Sequence, residues 1–185
     1  MTEARQRAQA DPAVAWFGTT ESQPERLELA AGPVSMTLEN GALRWIRLGA
    51  VEVLRGIAFL VRDRDWGTPI PEIADLDLRR TQGGFRLRFK ALCRTPEGDL
   101  PWSAEITGDA DGRVRFAASA SPTGDFVTNR TGFVILHPLD RVAGCPVDVT
   151  HTDGCKRRAR FPALIDPEQC FFDIKTLAHE TLPNI

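Results

Sequence analysis

The stretch from Val34 to Leu48 reads VSMTLENGALRWIRL, and it decides the fold class. Apolar and polar residues alternate from Val34 to Glu39, which is the period of a strand with one buried face. Asn40-Gly41 follows at once, and this dipeptide favours the two-residue turn of a β-hairpin. Residues Leu43 to Leu48 then predict the return strand.

More strand-like runs lie at close spacing on both sides of this hairpin. They are residues 26–29, 51–54, 57–61, 75–79, 85–91, 102–107 and 114–118. Many short strands separated by glycine-containing turns predict an all-β fold, an antiparallel β-sandwich with little helix. We expect a single β-sandwich domain over residues 25–185. An N-terminal arm over residues 1–24, partly helical or loose, should precede it and dock through Trp16 and Phe17.

Composition excludes several classes of function. The 185 residues include 23 Lys and Arg against 25 Asp and Glu, a net charge of −2, whereas a nucleic-acid surface normally shows a basic excess. The polar N-terminus leads to no apolar signal segment, and no run approaches the roughly 20 apolar residues of a membrane span. We therefore expect a cytoplasmic protein that binds neither nucleic acid nor membrane.

The four cysteines are Cys93, Cys145, Cys155 and Cys170. In a reducing compartment they are expected to be free thiols. Cys145, His151 and Cys155 form a C-x5-H-x3-C pattern, but structural zinc sites normally contain closely spaced cysteine pairs. No glycine-rich phosphate loop is present either. We expect no metal and no other cofactor.

Two histidines stand at the ends of short apolar or β-branched runs, His137 after Leu136 and His151 after Thr150. An imidazole titrates near neutral pH, so either could act as a general acid or base. Asp153 lies two residues after His151, a spacing that on one strand puts both on the same face. In a Thr-Asp-Gly turn, Asp153 would instead bond its own backbone. His137, His151 and Asp153 are the candidate catalytic residues.

Two further segments offer candidates for binding a polar ligand. Arg130 could hold a carboxylate through its two-pronged guanidinium, with Asn129 beside it. Asp65 and Trp66 lie in a V-R-D-R-D-W segment, where the indole could stack on a sugar ring. In the simpler alternative, the acids pair with the neighbouring arginines and Trp66 packs in the core. Asn129, Arg130, Asp65 and Trp66 are the candidate substrate-binding residues.

Several motifs taken together resemble one protein family. They are Arg55–Ile57, Val61–Thr68, Asn129–Phe133, Leu136–Pro138, His151–Gly154 and Phe161-Pro162. As a set they resemble the N-terminal β-sandwich domain of the D-apionate lactonase family, from about Trp16 to the C-terminus. Gly41–Ile46 with Glu52–Arg55 is similar to the opening of galactose-mutarotase-like domains. The resemblance implies a supersandwich-like architecture.

Members of that family act in apiose catabolism and open a sugar-acid lactone, and they carry a TIM-barrel domain after the sandwich. This chain ends at Ile185, and we expect the barrel to be missing from it. The resemblance implies a D-apionate-lactonase-like N-terminal domain that binds or serves as a scaffold rather than catalyses alone. Its unpaired strand edges would then be covered by the missing TIM barrel or by a homo-oligomer.

Two alternatives stay open. One is a stand-alone mutarotase- or epimerase-like sugar enzyme, with His137 or His151 and either Glu168 or Asp153 as the acid–base pair. The other is a purely structural or oligomerising sandwich whose histidines are incidental. If the chain is enzymatic, we expect a sugar lactone hydrolase or an aldose-epimerase-like enzyme.

Overall fold

The computed structural model describes residues 12–164 and 170–180, which form twelve strands and two short helices. In chain order these elements are α1 (Pro12–Phe17), β1 (Arg26–Ala31), β2 (Val34–Glu39), β3 (Ala42–Leu48), β4 (Val51–Arg62), β5 (Glu72–Thr81), β6 (Gly84–Thr95), β7 (Gly98–Gly108), β8 (Val114–Ala120), β9 (Arg130–Leu136), α2 (Leu139–Val142), β10 (Pro146–His151), β11 (Lys156–Arg160) and β12 (Ile174–Ala178). Neither of these helices is long and apolar enough to cross a membrane.

The strands pair antiparallel in three sheets. The first sheet has the order β1-β2-β3-β4-β9, the second β5-β6-β7-β8 and the third β11-β10-β12. Buried side chains of the first two sheets form one shared hydrophobic core, because each sheet has one apolar face to cover. The predicted all-β antiparallel sandwich is confirmed.

The hairpin that the sequence predicts at Asn40-Gly41 is present. Leu38 pairs with Leu43 across the β2–β3 ladder, and both side chains are buried in the core. Asn40 and Gly41 have φ values of 48° and 75°, the positive values that a type I′ turn requires at both central residues. The backbone twist of this turn matches the right-handed twist of the two strands, and the two-residue loop fixes their register.

Aromatic side chains bridge the two sheets of the sandwich. The ring of Phe59 on β4 lies 4.9 Å from the ring of Trp102 on β7, measured between centroids. Phe89 on β6 meets the same indole at 5.4 Å. Aromatic side chains bury 150–250 Å² each. The Phe59–Trp102 contact therefore holds the first sheet onto the second, and Phe89 supports the indole from within the second sheet.

Strand β4 is continuous, where the sequence predicted two separate runs. Gly56 lies between those runs and pairs with Arg44 on one side and with Leu136 on the other. A central strand is held extended by hydrogen bonds along both of its edges. Pairing on both sides therefore keeps the backbone straight through a glycine that would weaken an isolated strand.

The third sheet has a small core of its own. Val147 and Val149 on β10 are buried with Phe171, and Ala159 and Phe161 pack against them. Alternation along β10 points its valines to this core and Asp148 to the outside. The division of the chain into an arm and a single domain at residues 24/25 stays a prediction.

The N-terminal segment does not dock as expected. Trp16 and Phe17 lie in and at the end of α1, and their side chains are 81% and 59% exposed. A six-residue helix with no buried residue has little to hold it on the sandwich. The prediction that Trp16 and Phe17 anchor the arm is therefore wrong.

Strand β9 forms one edge of the first sheet within the described part of the chain. Phe133 stands opposite Phe59 in the register, so it faces the second sheet, where its ring meets Phe116 at 5.1 Å. Phe133 and Ile135 are nevertheless 46% and 54% exposed. The sandwich is thus open on its inner side between β8 and β9, and an apolar seam is left in contact with water.

The turn glycine gives a first test. Gly41→Ala should destabilise the fold by about 1–3 kcal/mol, because alanine strains a positive φ and its Cβ would approach Ile73 at 3.0 Å and Phe89 at 3.3 Å. Gly49→Ala is the matched control, since Gly49 has a φ of 58° and open space around it. Urea unfolding should show a larger loss for Gly41→Ala, and equal losses would contradict the packing contribution.

The open seam gives a second test. The chain should self-associate as its concentration rises, because β9 exposes both apolar side chains and unpaired backbone groups. Ile135→Lys should shift the protein towards the monomer, whereas Leu164→Lys, at a residue 80% exposed outside β9, should not. Size-exclusion chromatography with light scattering measures this. A clean monomer at high concentration would count against the prediction.

Candidate functional site

The end of β4 and the beginning of β9 lie side by side at one end of the first sheet. Arg62 and Arg130 stand directly opposite each other in the register. The N–H of Asn129 and the hydroxyl of Thr128 both donate to the carbonyl of Arg62, at 2.9 and 2.7 Å. These bonds join segments that are 66 residues apart in the chain.

A tight loop, residues 63–67, follows β4. One carboxylate oxygen of Asp63 accepts hydrogen bonds from the N–H groups of Asp65 and Gly67, at 3.0 and 2.6 Å, and the Asp63 N–H donates to the Gly67 carbonyl at 3.0 Å. A Cβ on Gly67 would collide with the Asp63 carboxylate. The loop holds Trp66 at a φ of 68°, a left-handed conformation that bulky residues rarely adopt.

This loop presents the indole of Trp66 to two guanidinium groups. The Cζ atoms of Arg62 and Arg130 lie 5.9 and 5.3 Å from the centroid of the indole, within the range of a cation–π contact. One terminal nitrogen of Arg62 also donates to the Trp66 carbonyl at 3.4 Å and to the Thr68 hydroxyl at 3.2 Å. We call Arg62, Trp66 and Arg130 the Trp66 cluster.

The structure brings the four candidate substrate-binding residues to one place. Trp66 and Arg130 belong to the Trp66 cluster, Asn129 bonds Arg62 through its backbone, and Asp65 lies in the loop. Trp66 is 51% exposed, so it does not pack in the core as the simpler alternative expected. The loop conformation, with its positive φ at Trp66, turns the indole outward instead.

Arg62 is the member of this group that the sequence analysis did not select. It was expected to pair with neighbouring acids, yet its described contacts are the indole, the Trp66 carbonyl and the Thr68 hydroxyl. A signal existed in the sequence. Arg62 ends one apolar run and Arg130 precedes another, so antiparallel pairing of the two runs would place both at the same end of a sheet.

His137 lies at the opposite end of β9 from the Trp66 cluster. That strand is seven residues long, so its ends are ~20 Å apart at ~3.3 Å per residue. The ring of His137 meets the ring of His179 at 4.8 Å, and His179 meets Phe161 at 5.1 Å. His137 is therefore part of a second group, formed where the segments after β9, β11 and β12 meet.

The other two candidate catalytic residues, His151 and Asp153, belong neither to the Trp66 cluster nor to the group around His137. One ring nitrogen of His151, Nδ1, is 3.0 Å from the carbonyl of Phe172. The Asp153 carboxylate accepts the N–H of Cys155 at 2.8 Å. The sequence placed His151 and Asp153 on one face only if both lay on the same strand. Strand β10 ends at His151, and a turn follows it, so the two side chains do not share a strand face. The hydrogen bond to Cys155 is that of a turn in which Asp153 bonds the nearby backbone, the alternative that the sequence left open.

A cavity of about 470 Å³ lies beside His179. Charged side chains of both signs line it: Arg141, Asp148, Arg158 and Glu180. His179 follows β12 and stands alone in the sequence, so no local pattern singled it out. Only the packing of β12 on β10, which pairs Ala178 with Asp148, brings it to this cavity.

These features define an antiparallel β-sandwich domain with an open edge and an exposed arginine–tryptophan cluster. The comparisons with known proteins identify the family. A family model described as the N-terminal domain of D-apionate lactonase matches residues 14–185. The chain belongs to this family, and the resemblance found in the sequence is confirmed.

A curated relative agrees with that assignment. The D-apionate lactonase of Brucella anthropi is 42% identical over 170 residues, which make up 91% of this chain and 28% of that protein. The chain thus spans little more than a quarter of the length of the curated relative that it matches. No solved structure matches the chain.

The histidine group gives a third test. Partial burial first, and then the nearby His179, lower the pKa of His137 from its ordinary value of 6.5. In an NMR titration, the ring proton of His137 should therefore change at a midpoint below 6.5. His179→Gln should move the midpoint up, because it removes the repelling imidazole, whereas His151→Gln should leave it in place. A midpoint at or above 6.5 in the native protein would contradict the packing described.

Proposed function

We propose that this chain is the sandwich domain of a sugar-acid lactone hydrolase. It supports a catalytic domain, or binds ligand for it, rather than hydrolysing the lactone alone. Family membership over residues 14–185 supports the lactonase class. The name of the Brucella anthropi relative supports a D-apionate-type lactone as the substrate. The observation that carries the supporting role is the separation of the candidate acid–base groups.

Lactone hydrolysis needs several groups at one carbonyl carbon. A base must reach the attacking water within hydrogen-bonding distance, and donors must reach the oxyanion that forms. Here His137 contacts His179, and the Nδ1 atom of His151 is next to the Phe172 carbonyl. Arg130, which would hold the sugar acid, is ~20 Å from His137 along β9. This spread argues against one catalytic centre built from the candidate residues.

The open seam supports a scaffold role. Phe133 and Ile135 are exposed on the inner face of β9. Leu136, on the opposite face, and Leu139, after the strand, expose further apolar surface. Exposed apolar surface of this kind marks a region that another domain or subunit covers. We take the TIM-barrel domain implied by the family resemblance as its partner in the complete enzyme.

The other two functions receive less support. A mutarotase-like enzyme needs a histidine and a carboxylate across one sugar ring. Glu168 lies outside the described residues, and the Asp153 carboxylate is engaged by Cys155 in a turn. A purely structural sandwich would share the scaffold role, and it differs from the proposal only in binding no sugar acid.

Hydrolysis by the purified chain tests the proposal. With D-apionolactone and other aldonolactones, we expect the lactone to disappear no faster than in buffer alone, with the complete Brucella anthropi lactonase as the positive control. Circular dichroism checks that the chain is folded. Hydrolysis above the buffer rate that His137→Ala or His151→Ala abolishes would place a catalytic centre in this chain and overturn the proposal.

A further inference from the structure

The Trp66 cluster contains two like charges in an unfavourable arrangement. Arg62 and Arg130 stand directly opposite each other on neighbouring strands, where like charges destabilise a sheet. Within residues 12–164 and 170–180, no carboxylate lies within ion-pairing distance of either guanidinium. Some other arginines of the sandwich do have acidic partners, such as Arg88 with Glu105 at 2.6 Å and Arg94 with Glu72 at 2.9 Å. In the described part of the chain, neither guanidinium of the cluster forms an ion pair with a carboxylate.

The cluster is also held in place before anything binds to it. Asp63 anchors the loop through two backbone N–H groups, and Arg62 is fixed by its bonds to the Trp66 carbonyl and the Thr68 hydroxyl. Trp66 is kept in a left-handed conformation with half of its surface exposed. Strained, preorganised residues of this kind are typical of binding sites. Arg130 contacts only the indole among its described side-chain contacts, so its donors are available.

The chemistry of the three side chains specifies what they would recognise. A guanidinium presents a planar fork that fits a carboxylate, and an indole face packs against the C–H groups of a sugar or polyol chain. We propose that the Trp66 cluster binds the carboxylate of an open-chain sugar acid, with the polyol chain of that acid lying on Trp66.

This inference deepens the proposed function and rests on it for the substrate class. In lactone hydrolysis, water adds to the ring carbonyl, the ring C–O bond breaks, and the hydroxy acid that is released loses its proton to solvent near neutral pH. The lactone is neutral, whereas the open-chain acid is an anion. Two guanidinium groups that form no ion pair among the described residues therefore favour the anionic product over the neutral lactone, and the cluster is a product site.

The test uses D-gluconate as the probe and D-gluconamide as its neutral counterpart of nearly the same shape. The chain has four tryptophans, so its indole N–H signals are few, and Trp66→Phe assigns the signal of Trp66. Titration with gluconate at low, constant ionic strength should shift this signal to saturation. Gluconamide, and acetate at the same concentration, should bind at least about tenfold more weakly, because each lacks the carboxylate or the polyol chain.

Variants separate the cluster from general surface charge. Arg130→Gln should weaken gluconate binding by about tenfold, the loss expected for one charge-assisted partner. Arg62→Lys keeps the charge but loses the fork, and it should also weaken binding. Arg64→Gln is the matched control, because Arg64 is exposed in the same loop and the substitution removes the same charge. It should change the affinity for gluconate less than twofold.

Several results would overturn the inference. They are the absence of a gluconate-dependent shift, equal binding of gluconamide, equal binding of acetate, or an equal loss with Arg64→Gln. None of these results depends on catalysis, because the titration measures only binding. The outcome of the titration and the outcome of the hydrolysis assay are therefore independent. If the chain binds gluconate but also hydrolyses lactones, only the proposed function is overturned. If the chain shows no gluconate-dependent shift and does not hydrolyse lactones, only the product site is overturned.

Discussion

The antiparallel pairing of β4 with β9 is the interaction on which the rest of the structure depends. It joins residues 56–62 to residues 130–136 and adds the fifth strand to the first sheet. Closing so long a loop costs only slightly more than closing a short one, and burial of Phe59 and Val61 against the second sheet offsets that cost. A register shift of one residue would turn Phe133 away from the core and separate Arg62 from Arg130.

The same strand separates the two groups of candidate residues. The beginning of β9 contributes Arg130 to the Trp66 cluster, and the residue after its end, His137, joins His179 and Phe161. An extended strand is stiff and has a set rise per residue, so these groups cannot approach each other while β9 is paired. The arginine–tryptophan cluster and the histidine rings are thus kept on different parts of the surface.

Much of the fold could be predicted from local patterns, and less of the site. The alternation before Asn40-Gly41 gives the β2–β3 hairpin, and the turn residues identify its loop, because both signals lie within a few neighbouring residues. The continuity of β4 through Gly56 could not be predicted, since pairing on both sides imposes it. The exposure of Trp66 was also missed, because it follows from the hydrogen bonds that Asp63 makes in the loop.

By itself, the sequence determined the strand period, the hairpin turn, the family resemblance and the segments that carry polar and aromatic candidates. Those properties depend on residue type and short spacing, which a single chain displays directly. Only the tertiary structure decided that Arg62 faces Arg130, that His137 lies beside His179, and that these two groups are far apart. Which strands pair depends on covering apolar faces among residues distant in the chain, and no local pattern contains that information.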